Sequence, residues 1–214
     1  MKIITFSDPH RKKHFEFFSS MNHPHFSICT LVDITALYPA VKDGGFKFMP
    51  VVAWLVSNAA NAIPEFRQRI RGKQVVEHEA VHPSFSITTE VSDVFSFCEV
   101  GYSPSFRDFM ERAKDKIARM QRDPAFEDEA GRDDYLFLSS LPWISFTSVE
   151  HAMQYHPHDS VPRITWGKFF EENNHLKMPV SIQAHHALVD GRHAGQFYKK
   201  LEKMAAHPSK WMSS

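Results

Sequence analysis

Hydrophobic and polar positions follow two different periods along this chain, and each period predicts a different kind of element. Apolar residues three or four positions apart predict helices, which begin near residues 9, 50, 105 and 191. Alternating apolar and polar positions predict strands, at residues 26–35, in pieces within 73–97, and at 135–140, 143–148, 163–170 and 178–185. An acidic segment with Gly and Pro at 123–134 predicts an exposed loop. Because helices and strands mix without regular alternation, we expect an α+β protein.

Composition is that of an ordinary globular protein. The 214 residues suit a single domain, 1–214, with an ample core. Basic and acidic side chains number 25 each, which argues against nucleic acid as a partner, because such partners require a basic excess. No apolar run of ~18 residues and no signal peptide is present, so we expect no membrane segment. The two cysteines, Cys29 and Cys98, favour a reducing, cytoplasmic location.

One motif near the C-terminus suggests acid–base chemistry. A β-branched run leads to His185-His186, and an Asp190-Gly191 turn follows before a helical pattern starts. An imidazole at the end of a strand, with a carboxylate nearby, is suited to act as a general base near neutral pH. A buried structural histidine explains the same residues equally well when the motif is taken alone.

The fourteen histidines invite metal sites, but their spacing does not support one. His78-Glu79-Ala80-Val81-His82 matches the H-E-x-x-H zinc motif, which requires a helix with both histidines on one face. Pro83 follows directly and the region alternates like a strand, where residues four apart are ~13 Å apart, too far to share a metal. Other histidines are predicted to lie in solvated loops, with a place beside a substrate pocket left open: His23 and His25, and His151, His156 and His158. We expect no bound metal.

Stretches spread over almost the whole chain match one enzyme family in order and with compatible spacing. They are residues 11–17, 32–35, 46–50, 64–67, 81–83, 95–96, 139–146, 164–168, 178–179 and 185–191. In these stretches the chain resembles the chloramphenicol acetyltransferases of the trimeric type that carry the HHxxxDG motif. The resemblance implies a two-layer α/β sandwich with a large mixed sheet, the fold of the coenzyme A-dependent acyltransferases. It also implies a homotrimer with active sites between subunits.

The resemblance assigns a role to each catalytic residue. His186 would be the general base that takes a proton from the acceptor hydroxyl and returns it to the leaving sulfur of acetyl-coenzyme A. Ser139 would donate to the oxyanion, and Thr165 would help to hold the transition state through a water. Asp190 would pair with Arg11 and so brace the turn that carries His186.

The resemblance also assigns the binding residues. Lys47 and Lys168 match lysines that meet the 3′-phosphate of coenzyme A, Phe169 stands near the adenine, and Trp143 lies beside the pantetheine channel. The acceptor pocket would be lined by four residues: Phe18, Phe26, Val149 and His151.

The acceptor pocket departs from the family more than the catalytic residues do. Phe18 replaces a tyrosine, Asn22 stands in place of an apolar residue, and Val149 and His151 replace an aromatic residue and a leucine. Polar groups in an apolar pocket can change acceptor preference strongly, because each unpaired one costs free energy.

The sequence therefore predicts a chloramphenicol O-acetyltransferase that uses acetyl-coenzyme A. The first alternative is the same chemistry on another hydroxylated small molecule. The catalytic core of a 2-oxoacid dehydrogenase acyltransferase shares the His-x-x-x-Asp-Gly pattern, but this alternative is disfavoured because we expect no lipoyl or subunit-binding segment before the domain. A non-catalytic ligand-binding protein on the same fold is disfavoured, because it would have no need to keep the whole catalytic set.

Overall fold

The computed structural model describes residues 1–91, 93–124, 129, 131–155 and 157–213. Five helices occur in this part of the chain: α1 (Pro9–Ser19), α2 (Leu37–Asp43), α3 (Phe48–Asn61), α4 (Phe106–Arg122) and α5 (Gly191–Ala205). The strands are β1 (Lys2–Ile4), β2 (His25–Asp33), β3 (Gln68–Arg71), β4 (Gln74–Glu77), β5 (His82–Ile87), β6 (Ser96–Glu99), β7 (Tyr135–Leu141), β8 (Arg163–Gly167), β9 (Phe170–Glu172) and β10 (His175–His185). Short 3₁₀ helices lie at Pro64–Arg67 and Pro208–Lys210.

A seven-stranded mixed sheet forms the main layer. Its strand order is β2-β10-β8-β7-β5-β6, with β9 also paired to β10. The β5–β7 and β7–β8 pairs are parallel, and the other pairs are antiparallel. A second, three-stranded sheet has the order β1-β4-β3. Helices packed on a mixed sheet confirm the predicted α+β class.

Strand β10 divides its side chains between the core and an open face. Val180, Ile182 and Ala184 belong to the buried core, together with the apolar residues of α3 and α5. Ser181 and Gln183 alternate with them and therefore point to the other face of the sheet. That other face carries polar side chains, and we call it the open face. It is defined by Cys29, Ser139, Thr165, Ser181 and Gln183, which the strand registers bring together. The name refers to the side of the sheet away from the core, since Thr165, Ser181 and Gln183 are themselves buried.

Helix α3 is apolar over most of its surface, as expected for a helix that lies within the core. Residues from Pro50 to Ala60 are almost all inaccessible to solvent, and Trp54 Nε1 donates to Ser103 O at 3.0 Å. The sequence predicted this helix correctly, with its start two residues late.

The predicted strand at 143–148 is wrong. Strand β7 ends at Leu141, a turn follows, and Trp143 and Ile144 are 67% and 55% exposed. Pro142 has no backbone N–H with which to continue a ladder. The segment instead crosses the end of β8, where a Cβ on Gly167 would lie 2.9 Å from Ile144 O and from the Phe146 ring.

Two other predictions needed correction. The predicted strand 163–170 is divided into β8 and β9, and β9 turns back through Asn173 and Asn174, both at positive φ. The loop 123–134 is only partly exposed, because Asp133 and Asp134 are half-buried and paired with cationic side chains. Residues 125–128 and 130 of that loop lie outside the described part of the chain.

Arg69 joins the two sheets through backbone carbonyls. Its side chain is fully buried, and its guanidinium donates to the carbonyl oxygens of Phe66, Gln68, Asp133 and Tyr135. Tyr135 begins β7, so this one side chain ties the small sheet to the large one.

We expect Arg69→Met to lower the free energy of unfolding by at least about 3 kcal/mol, because several buried carbonyls lose their donor together. Urea denaturation at one fixed protein concentration measures the change, since subunit association would make stability depend on concentration. Arg119→Met, on the exposed face of α4, is the matched control and should stay within about 0.5 kcal/mol of the parent. Equal losses in the two variants would contradict the proposed role of Arg69.

Candidate active site

The turn after β10 holds His186 against two aromatic rings. The backbone N–H of His186 donates to Pro24 O at 2.8 Å. Its imidazole stacks on Phe18, with ring centroids 3.9 Å apart and planes 20° apart, and lies 4.4 Å from the Phe26 ring. Phe18 comes from α1 and Phe26 from β2. Two residues predicted to bind the acceptor therefore contact the residue predicted to be the base.

Arg11 braces this turn through its carbonyl oxygens. The two terminal nitrogens donate to Ala187 O and Leu188 O, each at 2.8 Å. The ion pair predicted between Arg11 and Asp190 is not formed within the described chain, because the guanidinium is directed at these carbonyls. The carboxylate of Asp190 instead lies 3.4 Å from His14 Nε2.

The tautomer of His14 follows from its contact with Arg11. Arg11 NH1 lies 2.9 Å from His14 Nδ1, and a guanidinium can only donate hydrogen bonds. His14 Nδ1 must therefore be unprotonated, so the neutral ring carries its hydrogen on Nε2. That hydrogen is on the side that faces Asp190. Burial and the charge of Arg11 lower the pKa of His14, which favours the neutral ring.

Asp190 is the N-terminal cap residue of α5, and its backbone N–H donates to His193 Nδ1 at 2.9 Å. Burial by itself would raise the pKa of the carboxyl. The N–H groups of Gly191 and Arg192 and the neighbouring imidazoles of His186 and His14 outweigh burial, and the pKa of Asp190 is lowered. A carboxylate, not a carboxylic acid, thus faces the two histidines at neutral pH.

One group among the described residues has the composition of a metal site, namely His14, His186 and Asp190, with one donor atom of each within 4.8 Å of the others. A metal at His14 Nε2 would require that nitrogen to lose its hydrogen. The neutral ring would then carry its hydrogen on Nδ1, against a guanidinium that also donates. The hydrogen that the Arg11 contact places on His14 Nε2 therefore argues against a metal at this nitrogen, and the expectation of no metal stays a prediction.

The H-E-x-x-H residues do not converge. His78 Nε2 lies 2.8 Å from Asp133 Oδ1, whereas His82 Nδ1 accepts from the Tyr102 N–H at 2.9 Å. Neither histidine lies on a helix. Of the other predicted loop histidines, His156 lies outside the described residues.

A row of small polar residues crosses the open face. Ser139 on β7 lies opposite Thr165 on β8, and Thr165 lies opposite Ser181 on β10. Directly opposed residues point to the same face of a sheet. The residues predicted to stabilise the transition state, Ser139 and Thr165, are thus neighbours.

The loop after β7 covers part of this row. His151 Nε2 lies 2.7 Å from Thr165 Oγ1, and its Nδ1 lies 2.9 Å from Gln183 Oε1. Val149 lies two residues earlier in the same loop and is half-buried. Val149 and His151 are therefore on the side of Thr165, whereas Phe18 and Phe26 are on the side of His186.

The two halves of the predicted site are far apart within one chain. Ser181 marks the polar row on β10, and the strand runs on for roughly 13 Å to His185. Ser139 lies two strands away from β10, roughly 10 Å across the sheet. His186 also lies beyond the strand end, beside the core-side ring of Phe26. One chain therefore does not bring Ser139 against its own His186.

The predicted coenzyme A residues meet beside the start of α3. Phe169 packs on Tyr38 and Phe48, at 4.7 Å and 5.9 Å between ring centroids. This contact places the adjacent Lys47 and Lys168 in the same region, and both lysines are exposed. Neither has a carboxylate partner among the described ion pairs. Trp143 is exposed at the end of β7.

Sequence reasoning assigned no role to His14 or Gln183. His14 stands three residues after Arg11 on α1, a spacing that puts both on one helix face. The contact of Gln183 with His151 could not be predicted from the sequence, because strand register and the conformation of the loop after β7 bring the two residues together.

The whole chain can now be compared with known proteins. The family model described as chloramphenicol acetyltransferase matches residues 1–202. Chloramphenicol acetyltransferase 2 of Escherichia coli is 32% identical over 195 residues, 91% of this chain and 92% of that protein. The chloramphenicol acetyltransferase of Proteus mirabilis is 31% identical over 201 residues, 94% of this chain and 93% of that protein. The chain belongs to the chloramphenicol acetyltransferase family.

Solved structures agree with this family. A chloramphenicol acetyltransferase structure superposes with a TM-score of 0.85 at 26% identity, covering 95% of this chain and 99% of that one. A dihydrolipoamide acetyltransferase of Azotobacter vinelandii reaches a TM-score of 0.64 at 17% identity, covering 94% and 88%, which indicates a shared fold alone. The predicted resemblance and fold class are confirmed. Among the described residues, no helix is long and apolar enough to cross a membrane.

Arg11→Lys tests the brace on the turn. A lysine supplies one point charge in place of two parallel donors, so the turn at 187–188 should lose at least one charge-assisted hydrogen bond. We expect the free energy of unfolding to fall by about 2 kcal/mol. Urea denaturation measures it, with Lys13→Arg on the exposed side of α1 as the control. An Arg11→Lys variant as stable as this control would contradict the bracing role.

Proposed function

We propose that this member of the family transfers acetyl from acetyl-coenzyme A to a hydroxyl group of chloramphenicol. The observation that carries the proposal is the setting of His186, an imidazole held between aromatic rings at the end of β10. Its Nδ1 is buried and has no hydrogen-bond partner among the described residues. That leaves Nε2 as the nitrogen that an acceptor hydroxyl can reach.

His186 acts as the general base in this proposal. Nε2 takes the hydroxyl proton while the hydroxyl oxygen forms a bond to the thioester carbonyl carbon. The tetrahedral intermediate then breaks its carbon–sulfur bond, and His186 returns the proton to the leaving thiolate. The products are the acetyl ester and free coenzyme A. Phe18 and Phe26 hold the ring in place, and Arg11 holds the backbone on which it stands.

Ser139 stabilises the oxyanion of the tetrahedral intermediate. Its half-buried hydroxyl belongs to the polar row, and no described side chain or backbone group forms a hydrogen bond with it. A donor that is not already committed is what a developing negative charge requires. Thr165, its neighbour on β8, holds the acceptor side of the same transition state.

Acetyl-coenzyme A is held by Lys47 and Lys168 at its phosphate, with Phe169 beside the adenine and Trp143 beside the pantetheine arm. The two unpaired, exposed lysines suit a phosphate as point charges. The chemistry requires no metal, because a neutral hydroxyl, a thioester and an imidazole complete the proton transfers.

The active site lies between subunits of a homotrimer, each subunit a single domain. The separation of Ser139 from His186 along one chain supports this, because a second copy must supply the missing half. Large apolar side chains exposed near both halves, Phe17, Leu31, Trp143 and Ile144, are suited to burial against that copy. Use of acetyl-coenzyme A and the two free cysteines support a cytoplasmic location.

Another hydroxylated acceptor is the second candidate substrate. The observation that favours it is the polar His151 beside Thr165, where an apolar wall would suit chloramphenicol better. A steady-state assay of thiol release with chloramphenicol and acetyl-coenzyme A separates the two. If thiol release with chloramphenicol proceeds at the efficiency ordinary for an enzyme and its substrate, the alternative acceptor is excluded. If there is no turnover, chloramphenicol is excluded as the substrate.

His186→Ala is expected to lower turnover at least about 10³-fold, because the attacking hydroxyl loses its base. Thiol release at saturating substrates measures the effect, and circular dichroism checks that the variant folds. His207→Ala, an exposed histidine beyond α5, is the control. Turnover near that of the parent in His186→Ala would reject the base assignment.

Oligomers mixed from two variants test whether the Ser139 and His186 of one active site belong to different subunits. Ser139→Ala alone should lower kcat ~10²-fold with little change in acceptor KM. When Ser139→Ala and His186→Ala chains are co-expressed with different tags and purified as mixed trimers, about a third of the interfaces should combine both intact residues, because each mixed trimer has one such interface. We expect a comparable fraction of parent activity to return. A site built within one chain would leave every mixed oligomer with no more than the residual activity of the single variants.

A further inference from the structure

The His151 imidazole is hydrogen-bonded at both ring nitrogens to buried residues of the open face. Its Nε2 lies 2.7 Å from Thr165 Oγ1, and its Nδ1 lies 2.9 Å from Gln183 Oε1. Thr165 and Gln183 are 1% and 3% exposed, so bulk water does not readily replace these contacts. The loop after β7 and two neighbouring strands therefore converge on one ring.

The backbone of His151 determines how this ring is protonated. Its N–H donates to the same Gln183 Oε1, at 2.9 Å. A backbone N–H can only donate, so the amide of Gln183 must turn its oxygen, not its nitrogen, towards the loop. That oxygen accepts but cannot donate, and His151 Nδ1 must therefore carry a hydrogen. Burial lowers the pKa of His151, which favours the neutral ring.

A neutral ring with its hydrogen on Nδ1 has an unprotonated Nε2. Thr165 Oγ1 lies 2.7 Å from this nitrogen and must donate its hydroxyl hydrogen to it. The hydrogen of Thr165 is thus committed to His151, and only the lone pairs of Oγ1 remain for a ligand. Thr165 can accept a hydrogen bond at the site, but it cannot donate one.

We propose that His151 is a positioning residue for the acceptor: it orients the Thr165 hydroxyl as a hydrogen-bond acceptor, so that Thr165 selects an O–H group of the bound alcohol or of a water that it carries. The inference rests on the proposed function and deepens it. Donation to the oxyanion then falls to Ser139 and not to Thr165. Acceptors that place an ether or carbonyl oxygen at Thr165 are disfavoured, because two acceptor atoms would face each other.

Two amide variants of His151 separate its two contacts. A glutamine can extend its carbonyl oxygen to where Nε2 stands, and so can still accept from Thr165. An asparagine reaches only the position of Nδ1, and so keeps Gln183 but leaves Thr165 without its acceptor. We expect kcat to fall on the order of tenfold in His151→Asn and to be at least about fivefold higher in His151→Gln than in His151→Asn. His207→Asn, at the exposed histidine beyond α5, is the control for replacing a histidine by asparagine and should leave kcat unchanged.

A double-mutant cycle shows whether His151 acts through Thr165. If it does, adding His151→Asn to Thr165→Val should cause almost no further loss in kcat, because the hydroxyl to be oriented is already absent. Equal kcat in the two amide variants, or losses that multiply in the double variant, would overturn the proposal.

Nitrogen-15 NMR of the imidazole tests the arrangement without any turnover. At neutral pH the His151 ring, assigned by its loss in His151→Asn, should show a protonated Nδ1 and an unprotonated Nε2, and Thr165→Val should shift Nε2. The opposite tautomer or a charged ring would overturn the inference. If the parent fails to acetylate chloramphenicol, the proposed function fails, whereas this measurement still decides the pairing of His151 with Thr165.

Discussion

The pairing of β10 with neighbours on both sides is the constraint on which the rest of the structure depends. Its register with β2 and β8 makes one set of alternate residues, such as Val180 and Ile182, part of the core. The other set, with Ser181 and Gln183, must then lie on the open face. A slip of one residue would exchange the two sets and would leave polar side chains in the core. The same strand delivers His186 at its end.

Because of this constraint, the predicted catalytic residues of one chain lie in two separate regions. Ser139 and Thr165 belong to the polar row of the open face, while His186 stands beyond the strand end among aromatic rings. A rigid sheet cannot bend to bring these groups together, since strand spacing and rise are set by backbone hydrogen bonds. In the proposed site a second copy supplies the missing half, so the fold of one chain and the proposed assembly are linked.

Groups that can only donate hydrogen bonds explain the polar contacts around both halves of the proposed site, the one at His186 and the one at Thr165. At one half, Arg11 can only donate, which leaves His14 with its hydrogen directed towards Asp190. At the other, the backbone of His151 can only donate, which orients Gln183 and, through the ring, Thr165. In each place, a group that can only donate hydrogen bonds determines which ring nitrogen of the histidine carries the hydrogen. Burial lowers the pKa of both rings, which favours the neutral state that this arrangement requires.

Local pattern and motif were enough to predict α3, α5 and most strands. Apolar periodicity reports which face is buried, Asp190 marks the start of α5 as its cap residue, and Pro50 lies in the first turn of α3. The same reasoning failed at Trp143 and Ile144, because an exposed apolar segment has the same pattern as a strand. It also failed for the partner of Arg11, since two backbone carbonyls carry no signature in sequence.

What the sequence by itself determined is the family, the fold class and the identity of the candidate base, because these follow from residue type and spacing. Only the tertiary structure decided which of these residues touch. The separation of Ser139 from His186, the contact of His14 with Asp190, and the bond from Thr165 to His151 each involve residues from different elements. Such contacts depend on strand register and loop path, which are set by the packing of the whole chain and not by any local run of residues.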